Sequence, residues 1–190
     1  MRKRLFDFVV ACAMFVFALP VMAVIAIALL ATGAAPLFFQ ERIGLNGCPF
    51  VMWKFKTMRP GSEKVIRVAT AGDERITFLG RLLRRYHLDE LPQLVNVIRG
   101  DMSLVGPRPT PFAHMEDLVG TANYSKRLSV RPGMTGLVQI RGRERFIKRG
   151  WYGWQRVFRL DAFYAEHRCG RFDLKILLKT IPTVFTGKGI

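Results

Sequence analysis

Acidic residues are scarce in this 190-residue chain: 14 Asp and Glu stand against 30 Lys and Arg, a formal charge of +16. The excess is not a basic tail, since 27 of the basic and 13 of the acidic residues lie from residue 41 onward. Cysteine is equally sparse. Cys12, Cys48 and Cys169 are an odd number with no CxxC pair, which excludes a disulfide framework or zinc ribbon and suits a reducing cytoplasm. The histidines His87, His114 and His167 form no HExxH pattern. Also missing are the GxxxxGK[ST] phosphate loop, a GxGxxG turn after a strand, the GxSxG nucleophile elbow and any DxD metal motif. There are no internal repeats and no low-complexity tracts. Half the residues are hydrophobic, so the charge does not signal disorder. A basic body of this kind is a solvated face, a nucleic-acid surface, or a surface for anionic lipid or phosphate-rich substrate. No nucleic-acid recognition motif accompanies the charge, and nucleic acid is not expected as a partner.

Charge is absent altogether between Asp7 and Glu41. The run from Phe8 to Phe39 exceeds the length at which an apolar stretch reads as membrane-inserted. A cleavable signal peptide would suit the basic start and Val21-Met22-Ala23, but the apolar run continues through Val24, Ile25, Ile27, Leu29 and Leu30. As one helix the run would rise about 48 Å, well beyond a hydrocarbon core of roughly 30 Å. Pro20 near its middle removes a backbone donor and kinks or breaks a helix. Basic residues flank both ends (Arg2, Lys3 and Arg4 before; Arg42, Lys54 and Lys56 after), which draws both toward the cytoplasm. The expectation is a re-entrant helix-break-helix anchor over residues 1–40, with residues 41–190 as one domain on the cytoplasmic face of the membrane. A tilted span with a proline kink is the alternative. At the other end Leu174, Ile176, Leu177, Leu178 and Ile181 alternate with Lys175 and Lys179 before Pro182. That pattern suits a helix in the headgroup region and a helix packed on its own core alike.

Between these ends, Leu37-Phe38-Phe39 and Phe50-Val51-Met52-Trp53 flank Asn46-Gly47 and predict a β-hairpin over 36–58. Residues 59–75 read as a polar loop, 76–86 as a helix, and 90–98 as a second helix that Asp89 and Pro92 start and Gly100 stops. Gly106-Pro107-Arg108-Pro109 fits neither a regular helix nor a central strand. A helix is expected within 111–128, a short strand over 135–140 after the Pro132-Gly133 turn, and a helix over 152–167. The fold class is α+β: a small, mostly helical domain with a short hairpin on a membrane anchor.

The chemistry-bearing candidates begin with Asp89-Glu90. Adjacent carboxylates on a helix point about 100° apart and suit divided labour better than a shared proton. Equally, Asp89 could cap a helix and Glu90 favour its positive end. Arg84, Arg108 and Arg143 lie in three separate segments, two of them in Gly/Pro-rich turns, where guanidinium forks can be held for bidentate phosphate contacts.

The stretches FFQERIGLNGCPFVMWKFKTM (38–58), ITFLGRLLRRYHLDELPQLVNVIRGDMSLVGPRP (76–109) and RPGMTGLVQIRGR (131–143), with weaker matches at 161–164 and 173–183, resemble the bacterial sugar transferases. These are monotopic polyprenyl-phosphate phosphoglycosyl transferases, here in their minimal catalytic form. The resemblance implies transfer of a sugar phosphate from a UDP-sugar to undecaprenyl phosphate with release of UMP. It implies Asp89 as nucleophile, Glu90 as Mg²⁺ ligand, and Lys54, Arg84, Arg108 and Arg143 as phosphate-binding residues. Asp161 matches a further acidic position at the substrate site, and the Pro107–Pro109 turn allows a cis peptide bond. A carboxylate nucleophile would split one hard transfer into two easier ones. The chain departs from the family in carrying Leu19-Pro20 where Ser-Pro is usual, and in a longer segment between Arg143 and Asp161. The competing reading is a non-catalytic module that binds anionic membrane through its basic surface.

Overall fold

The computed structural model describes residues 2–33, 35–62, 73–111, 123–142, 146 and 149–185. Its first element, α1 (Arg2–Ala31), is the one described helix long and apolar enough to cross a membrane. Only 11% of its most apolar window is buried, so it is not the core helix of a soluble domain. The buried or half-buried positions Asp7, Ala11, Phe15, Ala18, Met22, Ile25 and Leu29 recur every three or four residues and form one stripe. The remaining faces expose Phe17, Val24, Ile27 and Leu30. The expected break at Pro20 is not present, and the helix is continuous through it. An internal proline costs about 3 kcal/mol, and the contacts of Ala18 and Met22 on either side oppose that cost.

Strands β1 (Leu37–Ile43) and β2 (Pro49–Phe55) pair antiparallel as the sequence predicts, with Leu37 opposite Phe55 and Ile43 opposite Pro49. A 3₁₀ turn joins them, with Asn46 and Gly47 both at positive φ. Helix α2 (Phe78–Arg85) starts at Thr77, whose hydroxyl caps the Gly80 N–H. The second expected helix begins later than its sequence signals. His87 is left-handed, Leu88–Glu90 form a 3₁₀ turn, and α3 runs only Gln93–Arg99 from an N-cap at Pro92. Asp89 is therefore a turn residue and not a helix cap. Gly100, at φ 96°, ends α3 as expected.

Strand β3 (Ser103–Val105) pairs in parallel with β5 (Gly133–Thr135), and β4 (Thr110–Pro111) adds to the free edge of β1. The strand expected at 135–140 is displaced: it ends at Thr135, and Leu137–Ile140 form a helical turn, α5. The β-branched residues Thr135, Val138 and Ile140 suggested a strand, but extended Gly136 ends it, and Leu137 and Val138 are buried instead in two core clusters. Helices α4 (Tyr124–Leu128), α6 (Gly150–His167) and α7 (Gly170–Phe185) complete the fold.

Both ends of α1 are fastened to this domain. Arg4 donates to the Val97 and Ile98 carbonyls in the last turn of α3. Lys3 pairs with Asp173 of α7 at 2.7 Å, and Asp7 accepts from the Ser103 hydroxyl. Ala11 joins the main core with Leu94, Val97, Met102 and Ile176. Toward the other end of the helix, Ile25 and Leu29 pack against Phe55 and Leu83.

Candidate active site

Along β2 side chains alternate between faces, so Lys54 points with Met52 toward the interior side of the hairpin. Asn96 fixes the strand against α3. It is fully buried, accepts from the Trp53 N–H and donates to the Val51 carbonyl. Lys54 therefore meets the Leu88–Glu90 turn, and its ammonium lies 2.9 Å from Glu90 Oε1.

Arg108 meets the same carboxylate, at 2.5 Å to Oε1 and 3.4 Å to Oε2. Its turn is held by backbone contacts that leave no room for side chains. A Cβ on Gly133 would lie 2.0 Å from Gly106 N, and one on Gly136 would lie 2.1 Å from Gly106 O. That closeness allows the Gly133 N–H to bond the Pro107 carbonyl and the Gly106 N–H to bond Thr135. Arg127 then donates to the Arg108 carbonyl at 2.7 Å and to the Thr110 hydroxyl. Pro107 and Pro109 thus bracket a rigid turn, as expected from sequence. Among the described residues, however, every peptide bond is trans, Pro107–Pro109 included; the backbone contacts hold this turn without a cis bond.

Asp89 is 6% exposed. Burial pushes its carboxyl upward and the like charge of Glu90 adds to this, while Lys54, Arg84 and Arg108 pull against it; the net direction is up. Glu90 goes the other way. Burial opposes its charge, but Arg108 and Lys54 outweigh that penalty and hold the carboxyl well below its usual range. Environments that push paired carboxylates apart in this way separate their chemical roles. Arg84 donates from Nε to the Thr57 hydroxyl at 2.9 Å and lies in the field of Asp89. Burial lowers the pKa of Lys54 and, less completely, that of Arg84.

The structure thus gathers Asp89, Glu90, Lys54, Arg84 and Arg108 into one half-buried cluster. Asp161 does not join it. It is 2% exposed and pairs with Arg127 at 3.0 Å, the side chain that also holds the Arg108 carbonyl. Its position within the helix expected over 152–167 gave no sign of that buried partner. Arg143 lies outside the described residues. Sequence reasoning missed Thr57, Arg127 and Arg42. The last could have been found by strand alternation, because Arg42 and Gln40 share the Lys54 face in the β1–β2 register.

Among the described residues no three His, Cys, Asp or Glu side chains gather as a ready-made metal cage. The donors nonetheless suit a hard divalent cation. Magnesium commonly takes one or two carboxylates, with waters and substrate phosphates completing its shell. Glu90 supplies an ionised carboxylate next to Asp89.

A buried carboxylate pair ringed by cations is the outline of an enzyme acting on phosphates. The sequence profile described as "Bacterial sugar transferase" matches residues 1–187, and the chain belongs to that family. It is 40% identical over 190 residues to a UDP-glucose:undecaprenyl-phosphate glucose-1-phosphate transferase of Caulobacter vibrioides, covering 98% of this chain and 70% of that protein. It is 38% identical to the uncharacterized sugar transferase EpsL of Bacillus subtilis, covering 99% of this chain and 89% of that one. It is 36% identical to a UDP-galactose-lipid carrier transferase of Erwinia amylovora, of which it spans 41%.

Proposed function

We propose that this sugar transferase moves a sugar 1-phosphate from a UDP-sugar to undecaprenyl phosphate and releases UMP, an early membrane step of polysaccharide or glycoconjugate synthesis. The observation that carries this reading is the placement of Asp89. A nucleophilic carboxylate must be desolvated yet able to reach an anionic phosphorus, and Asp89 is buried within the field of Lys54, Arg84 and Arg108. An Asp89 oxygen bonds to the sugar-bearing phosphorus, the bridging P–O bond breaks, and its electron pair leaves on UMP. The polyprenyl phosphate oxygen then attacks the aspartyl phosphosugar and frees Asp89. Splitting the transfer lets a soluble donor depart before a lipid acceptor arrives.

Glu90 would hold Mg²⁺ together with substrate phosphate oxygens, and the ion would supply charge neutralisation at the diphosphate. Arg108 and Lys54 hold Glu90 ionised and draw it into position. Arg84 orients toward the attacking side, steadied by Thr57.

A monotopic arrangement on the cytoplasmic face is supported by the way α1 is held. From Arg4 to Ile25 a straight helix would rise about 32 Å, the thickness of a hydrocarbon core. The same domain grips both positions. Were they on opposite faces, that domain would have to fill the bilayer. Basic residues at both ends favour the cytoplasmic side.

The test is UMP release from a panel of UDP-sugars, with Mg²⁺ and undecaprenyl phosphate, in lipid nanodiscs. The reading requires release with at least one sugar and a sugar-phosphate adduct on the peptide containing Asp89 when the acceptor is withheld. Turnover without any adduct on that peptide would remove the covalent mechanism.

A further inference from the structure

The buried cluster has more positive charge than its own carboxylates can balance. Lys54 and Arg108 both bond Glu90, and Arg84 bonds Thr57 within the field of Asp89. One more guanidinium stands beside them. Arg42 lies on β1, opposite Phe50 on β2 and opposite Pro111 on β4, three residues beyond Arg108. Alternation puts it on the same face as Gln40 and Lys54. One Arg42 nitrogen is steadied by the Gln40 side-chain oxygen at 2.5 Å. Its Nε is buried and has no hydrogen-bond partner, and among the described residues no carboxylate forms a salt bridge with it. Burial and the neighbouring Arg108 bring its pKa down to about 10, against a smaller opposing pull from Glu90.

A buried guanidinium N–H with no acceptor destabilises a fold unless something supplies one. The fork suits phosphate oxygens. Its position suggests which phosphate. Arg42 faces β4, the strand that continues from the Arg108 turn, and Arg108 in turn holds Glu90. Arg42 thus flanks the cluster at its Arg108–Glu90 end.

We infer that Arg42 is a substrate-binding residue that grips the phosphate not attacked by Asp89. Resting on the transfer reaction above, that group is the nucleoside-bearing phosphate of the donor, whose charge grows as the bridging bond breaks and the electron pair passes to UMP. The phosphate of the lipid acceptor offers the same chemistry, and the experiment separates the two.

Arg42→Gln is compared with the unaltered protein in nanodiscs, first without ligand and then with inorganic pyrophosphate, UMP or a short-chain polyprenyl phosphate. Losing one charge-assisted contact should weaken pyrophosphate binding about 10- to 100-fold. Without ligand the melting temperature should stay level or rise, because a buried N–H without an acceptor has been removed. A purely structural arginine would do the reverse. Weakened UMP binding with polyprenyl phosphate unaffected assigns Arg42 to the donor; the opposite pattern assigns it to the acceptor. Unchanged binding of all three probes overturns the inference. Should the glutamine variant lose its fold, Arg42→Lys decides, because it keeps charge and stem but not the fork: at least tenfold weaker pyrophosphate binding supports the inference, and unchanged binding overturns it. Pyrophosphate binding reports on Arg42 even if no UDP-sugar is turned over, a result that would count against the reaction alone.

Discussion

Replacing Glu90 by glutamine removes one negative charge and almost no volume. It leaves the Lys54 ammonium and the Arg108 guanidinium facing an amide oxygen in place of a carboxylate. Lys54, Glu90 and Arg108 side chains are 16%, 12% and 30% exposed, so solvent screens the loss only in part. Removing one partner of a buried ion pair costs about 3–5 kcal/mol. The remaining amide acceptor places this case near 3 kcal/mol. For a chain of this size that corresponds to a melting temperature lower by about 6–12 °C. The measurement is thermal unfolding in nanodiscs with EDTA present, so that metal binding does not enter. The sign with pH follows from the depressed folded pKa of Glu90. Its stabilisation is present above the ordinary glutamate value of about 4.3 and is lost as pH falls through the folded value. The gap between variant and wild type should therefore stay constant from pH 8 to pH 5 and narrow only in stronger acid. A drop under 2 °C, or a gap that closes between pH 8 and pH 5, would refute the electrostatic account.

Asp89→Asn should abolish UMP release while the melting temperature holds or rises. The raised pKa of Asp89 means that its ionisation costs stability as pH climbs from the unfolded value through the folded one, and asparagine avoids that cost. For the same reason the acid limb of the pH–rate profile should lie above the ordinary aspartate value and move down in Glu90→Gln, where a like charge is gone. Gly133→Ala would force a Cβ against Gly106 backbone atoms and should cost at least about 1–3 kcal/mol, with a larger loss of turnover as the Arg108 turn shifts. Gly170→Ala, which meets nothing within 4 Å, is its neutral control. Asp161→Asn should lower stability by about 3–5 kcal/mol, read by thermal unfolding, because it strips the buried Arg127 of its carboxylate. An Asp161 that only contacts substrate would instead leave stability intact.

The hairpin, both long C-terminal helices and the apolar first helix were legible because each has a local signal: a tight-turn dipeptide, a period or an uncharged run. The Leu88–Glu90 turn was not, since its cause is His87 entering the left-handed region, which no neighbouring residue announces. The α5 turn was misread as strand because packing of Leu137 and Val138 overrides local propensity. At the site, the acidic pair and three of the basic residues were found. What remained hidden was every role that depends on a distant partner: Asp161 through Arg127, Thr57 through Arg84, and Arg42 through the register of β1.

Helix α1 and the Arg108 turn share a polar connection, which explains why so apolar a helix also carries a buried aspartate. Asp7 of α1 accepts from Ser103, whose hydroxyl also lies 3.0 Å from the Val105 carbonyl. The Tyr164 hydroxyl lies 3.0 Å from that same carbonyl and 2.6 Å from Asp173, the carboxylate that pairs with Lys3 of α1. Val105 directly precedes Gly106, the residue on which Gly133 and Gly136 close to set the Arg108 turn. Apolar contact alone would let α1 slide along its stripe at little cost, because hydrophobic burial has no direction. Hydrogen bonds to one carbonyl do have direction. They fix the height of α1 relative to the Arg108 turn, and in the proposed membrane arrangement that sets the depth at which Asp89 meets the surface.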